Sequence, residues 1–175
     1  MPTESALVAI IPEAEDLVSS FRDRFDPSAA AGVPAHVTVL YPFKPPAEVT
    51  AEVLESLREL FARTLSFNLS FSSIERFPAV LYLRPEPEEP LRNLTMMITE
   101  CFPEAPPYGG AFTDVVPHLT IADIADAENL NVIAAEFARR AKGRLPIKST
   151  VKEIVLMDNQ SGRWRVRRRF ALASA

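Results

Sequence analysis

His36-Val37-Thr38-Val39 and His118-Leu119-Thr120-Ile121 are two copies of one pattern, and together they contain both histidines of the chain. In a β-strand, side chains two residues apart project from the same face, about 6–7 Å from each other. Each His therefore shares a strand face with its Thr, while apolar residues occupy the other face. The pattern places an imidazole, which exchanges protons near neutral pH, beside a hydroxyl that can hold an oxygen atom.

The elements around the two copies follow the same order. An apolar run at residues 7–11, a Pro-Glu pair and an amphipathic helix precede the first copy. A predicted strand at residues 80–83 precedes the second copy, and a second Pro-Glu pair at 85–86 and another helix follow that strand. Each copy continues with a helix and a strand. Asp126 is a candidate N-cap of the second of these helices, and Gly143 lies where its C-cap is expected. A duplication would face the two His-Thr pairs across a pseudo-two-fold axis. We predict one α+β domain over residues 1–175, with two similar lobes.

Composition excludes several classes of protein. The chain of 175 residues is 47% hydrophobic and 24% charged, which is enough apolar residues for a folded core. The apolar runs are too short to span a membrane, and the N-terminus lacks the basic start of a secretory signal. One cysteine permits no internal disulfide, so we expect a cytoplasmic protein. A net charge of −4 argues against binding to long duplex DNA, and a monomer is the expected state.

The two histidines are the first candidates for a catalytic role. A single histidine is more often a structural residue bonded to its neighbours, but two copies in register favour a shared site for acid–base catalysis. Phosphodiester cleavage fits such a pair. One neutral His would take a proton from water or a ribose hydroxyl, and the other, protonated, would give one to the leaving oxygen. Thr38 and Thr120 would hold non-bridging oxygens, although β-propensity alone also explains a Thr in a strand.

The sequence at residues 34–43, Pro-Ala-His-Val-Thr-Val-Leu-Tyr-Pro-Phe, together with the second His-x-Thr copy, resembles the 2H phosphoesterase superfamily. Within it, the chain is most similar to the 2′-5′ RNA ligase and cyclic phosphodiesterase branch, from residue 7 to about residue 172. The resemblance implies a bilobal, duplicated α+β fold with two antiparallel sheets lining a central cleft and helices packed outside. It implies metal-independent chemistry on 2′-phosphoesters without a cofactor. His36 and His118 would be catalytic, and Thr38 and Thr120 would bind the substrate phosphate.

A basic row near the C-terminus is a second candidate feature. On a regular strand, the arginines at 163, 165, 167 and 169 would share one face, and Trp164, Val166 and Phe170 would share the other. Such a row can be a solvated face that discourages edge pairing. It can also be a basic rim that attracts the phosphates of a nucleotide. Arg165 and Arg167 are therefore candidate substrate contacts.

Aromatic and acidic residues offer further candidates. Four aromatic residues could stack on a base: Tyr41, Phe43, Tyr82 and Trp164. Core packing is the expected role for each, because aromatic residues of strands usually pack against neighbours, with Tyr41 kept as a candidate substrate contact. Asp114 and Asp123 flank the second motif and could orient a histidine. Cys101 is expected in the core, on the apolar face of its helix.

Three functions remain open on these residues. The leading hypothesis is an enzyme that hydrolyses 2′,3′-cyclic phosphate or 2′-5′-linked ends of nucleotides or RNA, with RNA joining as the reverse reaction. A non-catalytic nucleotide or RNA-end binding module of the same fold is the alternative, although binding alone does not require two titratable groups. A metal hydrolase is the third, but two histidines without matched carboxylates or cysteines make an incomplete metal site. The chain has five glycines and no Gly-rich phosphate loop, so use of ATP through a P-loop is not expected.

Overall fold

The computed structural model describes residues 2–111 and 114–175. Its elements run twice through the order β-α-β-α-β, as the repeat predicts, with an extra short helix in the first copy and two strands at the end. The strands are β1 (Ser5–Ile10), β2 (His36–Leu40), β3 (Phe67–Arg76), β4 (Val80–Glu86), β5 (Leu119–Asp123), β6 (Ile147–Val151), β7 (Glu153–Asp158) and β8 (Arg165–Ala171). The helices are α1 (Glu15–Phe25), α2 (Pro27–Ala30), α3 (Ala51–Ala62), α4 (Glu89–Cys101) and α5 (Ala127–Ala141).

The described strands form one antiparallel sheet in the order β6-β3-β4-β5-β2-β1-β7-β8. Two four-stranded halves meet where β2 pairs with β5, in a short contact that sets Val37 opposite Leu119. The predicted α+β class is confirmed, and the two predicted antiparallel sheets are continuous with each other through this contact. The two halves join for a physical reason. Without the contact between β2 and β5, each of these strands would be the edge of its own sheet, with unpaired backbone N–H and C=O groups.

The two faces of the sheet have different roles. The main hydrophobic core contains residues of the longer helices together with Val37 and Val39 of β2 and Leu119 and Ile121 of β5. Because side chains alternate along a strand, the His and Thr residues between them point to the opposite, open face. That face carries a smaller apolar cluster: Ala6, Val8, Val33, Val155 and Met157. None of the described helices is both long and apolar enough to cross a bilayer.

The second Pro-Glu pair does not end its strand. The prediction of a strand that stops before Pro85 is wrong, because β4 continues to Glu86 and Pro85 lies opposite Phe71. The pairing is irregular between Phe71 and Ser73. A proline, which lacks the N–H group, is tolerated at such a bulge inside a sheet.

The helix ends explain one correct and one wrong prediction. Asp126 caps α5 as predicted, and Gly143, just past the end of α5, has a φ of 77°. The prediction that Cys101 lies in the core is wrong, because Cys101 is exposed. It is the last residue of α4, where the chain turns, and the next residue, Phe102, enters the core instead. The Phe102 ring packs edge-on against Phe43 at a centroid distance of 5.2 Å.

Candidate active site

The contact between β2 and β5 brings the two His-Thr patterns together on the open face. Extending the antiparallel register by one residue from Val37 and Leu119 sets His36 opposite Thr120 and Thr38 opposite His118. All four of these side chains line one cavity of about 360 Å³. Among the described residues, neither threonine hydroxyl has a hydrogen-bond partner, so both hydroxyls are free to bind a ligand oxygen.

The two imidazole rings are held in the same way. Nδ1 of His36 lies 2.7 Å from the carbonyl oxygen of Pro34, and Nδ1 of His118 lies 2.8 Å from that of Val116. A carbonyl can only accept a hydrogen bond, so Nδ1 carries the proton of each neutral ring and Nε2 keeps its lone pair. Each ring therefore offers Nε2 for proton transfer.

Both rings are neutral at pH 7 in the free protein. Burial, helped by the positive charge of Arg22, lowers the pKa of His36 from 6.5 to about 4, against the opposing effect of the hydrogen bond to the Pro34 carbonyl. Burial also lowers the pKa of His118, against the opposing effects of the Val116 carbonyl and the negative charge of Asp123. A bound phosphodiester anion would raise both pKa values and help one ring to hold the proton that a general acid needs.

A buried ion pair supports the loop in front of His36. Arg22 of α1 donates from Nε to Oδ2 of Asp26 at 2.9 Å and from Nη2 to the carbonyl oxygen of Val33 at 3.1 Å. Both charged side chains are almost fully buried. Asp26 also accepts hydrogen bonds from the N–H and hydroxyl groups of Ser28, which fixes the start of α2. This ion pair was not predicted. The sequence contains one sign of it, the Asp-Pro pair at residues 26–27, which is typical of the start of a helix.

Aromatic residues form one wall of the cavity. Tyr41 directly follows β2 and Trp164 directly precedes β8. Tyr41 and Trp164 line the cavity, with ring centroids 6.2 Å apart, and Tyr108 contacts Tyr41 at 6.3 Å. The Tyr41 hydroxyl donates to Glu4 at 2.6 Å, and burial together with this carboxylate raises the pKa of Tyr41 to about 12. The prediction of core packing is confirmed for Phe43. Tyr41 and Trp164 are only partly buried and pack against the smaller apolar cluster of the open face.

A second, largely apolar cavity of about 590 Å³ adjoins the first on the His118 side. Residues 77–80 and 114–116 form most of its wall, and His118 borders both cavities. The Phe77 ring lies edge-on to the His118 ring at 5.2 Å and packs on Tyr82 at 4.5 Å. Tyr82 is buried, as predicted. The volume and the apolar walls are typical of a small-molecule site.

The two arginines predicted as substrate contacts lie elsewhere. Neither Arg165 nor Arg167 is among the described residues that line the two cavities. Arg167 donates to the carbonyl oxygens of Pro46 and Val49 at 2.8 and 3.0 Å. Arg165 donates to the Ser161 hydroxyl at 3.2 Å. The structure therefore brings Tyr41 to the histidines but not these two arginines.

The prediction of a one-sided basic row on the last strand is wrong. Strand β8 pairs with β7 irregularly, so that Val166 lies opposite Met157 and Phe170 lies opposite Ile154. Met157 belongs to the apolar cluster of the open face and Ile154 to the main core. Val166 and Phe170 therefore project from opposite faces of the sheet. Regular alternation along a strand would place these two residues, which are four apart, on the same face. A β-bulge shifts the alternation by one residue in this way.

Among the described residues, the group bonded to Nδ1 of His118 is the Val116 carbonyl and not a carboxylate. The structure therefore does not place Asp114 or Asp123 in the orienting role considered from the sequence. Asp114 instead forms an ion pair with Arg92 at 2.8 Å. Asp123 lines both cavities. In the part of the chain that the structure describes, no group of three or more His, Cys, Asp or Glu side chains is placed to hold a metal ion.

Comparison with known proteins agrees with this arrangement. The chain matches the family model of the 2′-5′ RNA ligase superfamily over residues 11–163, and it belongs to that superfamily. The predicted resemblance to the 2H phosphoesterases is thereby confirmed. A Bacillus licheniformis protein named "Putative phosphoesterase" is 30% identical over 165 residues, which cover 91% of this chain and 92% of the relative. A Bacillus pumilus protein of the same name is 29% identical over 163 residues, 90% of each chain.

Solved structures share the fold. E. coli LigT in complex with 3′-AMP superposes with a TM-score of 0.60 at 18% identity, over 98% of this chain and 99% of LigT. A Thermus thermophilus protein superposes with a TM-score of 0.63 at 17% identity, over 98% of each chain. The family and its named relatives support a phosphoesterase activity for this chain.

Proposed function

We propose that the protein is a metal-independent phosphodiesterase for 2′,3′-cyclic phosphate or 2′-5′-linked ends of nucleotides or RNA. His36 and His118 would be its general acid and base. The observation that carries the proposal is the matched pair of rings in one cavity, each held through Nδ1 by a backbone carbonyl. Two titratable groups with free Nε2 atoms are what proton transfer to and from a phosphodiester requires.

The reaction follows from the placement of these groups. One neutral ring accepts a proton from water through Nε2, and the water oxygen attacks phosphorus. The other ring, protonated when the anion is bound, donates its proton to the leaving ribose oxygen. Thr38 and Thr120 donate their hydroxyl hydrogens to the non-bridging oxygens, where negative charge develops. For ligation one ring would take the proton of a 5′ hydroxyl, whose oxygen attacks the phosphorus of a 2′,3′-cyclic phosphate. The other ring would give its proton to the leaving 3′ oxygen, which leaves a 2′-5′ linkage.

The surroundings of the rings support a nucleotide substrate. Tyr41 and Trp164 on one side, and Phe77 on the other, offer ring faces or edges on which a base can pack. Tyr41 is accordingly proposed as a substrate contact.

The test is turnover of a 2′,3′-cyclic mononucleotide in EDTA, with the product monophosphate identified by chromatography. A 2′-5′ dinucleotide and the matched 3′-5′ dinucleotide are assayed beside it. We expect hydrolysis of the cyclic or the 2′-5′ substrate, unaffected by EDTA, and no hydrolysis of the 3′-5′ control. Binding of the nucleotide without turnover of any of these would instead favour the non-catalytic binding module, and loss of turnover in EDTA would favour metal chemistry.

A further inference from the structure

The cavity that holds the two histidines has an unusual charge balance for a phosphate site. Its ionisable lining residues, among those the structure describes, are Asp26, His36, Tyr41, Tyr108, His118 and Asp123. Lysine and arginine, the usual partners of phosphate in proteins, are absent from this described lining. Negative charge is therefore present where a phosphate anion is expected to bind.

The nearby arginines are already used by other groups. Arg22 is paired with Asp26, so that the two charges cancel within a buried contact. Arg163 donates to the carbonyl oxygen of Ala30 at 3.2 Å, and Arg167 donates to backbone carbonyls beyond β2. Arg163 and Arg167 keep their positive charges, but neither lines the cavity, and Asp123 is the carboxylate of the described lining that has no ion-pair partner.

An irregularity in the sheet turns Asp123 towards the cavity. In the pairing of β4 with β5, Tyr82 lies opposite Thr120, but Leu81 lies opposite Ala122 and Val80 opposite Asp123. The bulge lets Thr120 and Asp123, three residues apart, both border the same cavity. Among the described residues, no lysine or arginine forms an ion pair with the Asp123 carboxylate. Burial and the negative charge of Asp26 raise the pKa of Asp123, and its negative charge is therefore considered at alkaline pH, where a carboxylate is ionised.

We propose that Asp123 is a specificity-determining residue that selects phosphates by charge. The site would accept the single negative charge of a phosphodiester and repel the double charge of a phosphomonoester, which is the product of its own reaction. The inference rests on the proposed function. With both imidazoles neutral, the ionised Asp123 places one negative charge beside the bound phosphate, which meets one like charge on a monoanion and two on a dianion. Since Coulomb energy is proportional to charge, Asp123 opposes the dianion twice as strongly.

The test compares two ligands that differ by one charge and one methyl group. A 2′-deoxynucleoside 3′-monophosphate is a dianion at pH 8, because its second pKa is about 6, and its methyl ester is a monoanion. Dissociation constants of both are measured by calorimetry for the wild type and for Asp123→Asn. If removal of the charge tightens the monoanion by about threefold, the dianion tightens by about the square of that factor, or roughly tenfold. Asp123→Glu, which keeps the charge, should retain the wild-type preference.

A matched control is Asp23→Asn, the same substitution at an exposed position of α1. It should leave both dissociation constants unchanged. An equal change for the two ligands in Asp123→Asn, or no change, would overturn the inference. These binding measurements do not depend on turnover. A wild type that shows the charge preference but does not hydrolyse the cyclic nucleotide would instead overturn the proposed function.

Discussion

The neutral state of His36 predicts a loss of stability at acid pH that one substitution should remove. In the unfolded chain His36 takes up a proton near pH 6.5, whereas burial lowers its pKa to about 4 in the folded protein. Between these values the unfolded state binds more protons. The free energy of unfolding therefore decreases as the pH falls from 6.5 towards 4.

The size of the effect follows from the two pKa values. One unit of difference corresponds to about 1.4 kcal/mol, so the full difference between 6.5 and about 4 corresponds to about 3 kcal/mol. Between pH 7.5 and pH 5 the same relation gives about 2 kcal/mol. The His36 side chain keeps partial exposure at the cavity, so this is an upper value.

The assay is urea unfolding of the wild type and of His36→Asn at both pH values. Asparagine cannot titrate, and its amide nitrogen can replace Nδ1 as the donor to the Pro34 carbonyl. Comparing the two proteins cancels the contributions of carboxylates and of His118. We expect the wild type to lose up to about 2 kcal/mol more than the variant between pH 7.5 and pH 5. Equal losses in the two proteins would refute a buried, neutral His36.

Three further predictions concern the site and its supports. Because both histidine pKa values are lowered, kcat/KM for the cyclic nucleotide should peak below pH 6.5. The optimum of kcat should lie at a higher pH, because the bound anion raises both pKa values. An optimum of kcat/KM above pH 7 would contradict this. Arg22→Met should cost about 3–5 kcal/mol of unfolding free energy by leaving Asp26 buried without its partner. Adding Asp26→Asn, which removes the charge but keeps an oxygen that accepts from Ser28, should restore most of the loss in urea titrations. Arg167→Met should lower the free energy of unfolding by about 1–3 kcal/mol, because two carbonyl groups lose their hydrogen-bond donor. The KM of this variant should equal that of the wild type. A raised KM in a stable variant would favour the substrate contact that the sequence predicted.

Local periodicity and the repeat predict most of the fold. Alternation around His36 and His118 places both rings on one face of the sheet, and the caps at Asp126 and Gly143 are local signals that do not depend on distant residues. The bulges could not be predicted, because they depend on which strands pair. They move Asp123 into the cavity and break the arginine row.

The buried pair of Arg22 and Asp26 was missed for another reason. A charged residue on an apolar helix face gives no sign of its partner until the loop folds back onto the helix. The absence of lysine and arginine from the described cavity lining could not be predicted from the sequence either. The sequence contains a cluster of arginines, but it does not indicate that backbone carbonyl groups bind Arg163 and Arg167.

The most direct test of the central claim is a double-mutant cycle on the two histidines, with kcat for a 2′,3′-cyclic nucleotide measured in His36→Asn, His118→Asn and the double variant. Both single substitutions should lower kcat by about a hundredfold or more. The double variant should be little worse than the poorer single variant, because two groups that act as a unit are not additive. Wild-type kcat in either single variant would contradict paired acid–base catalysis.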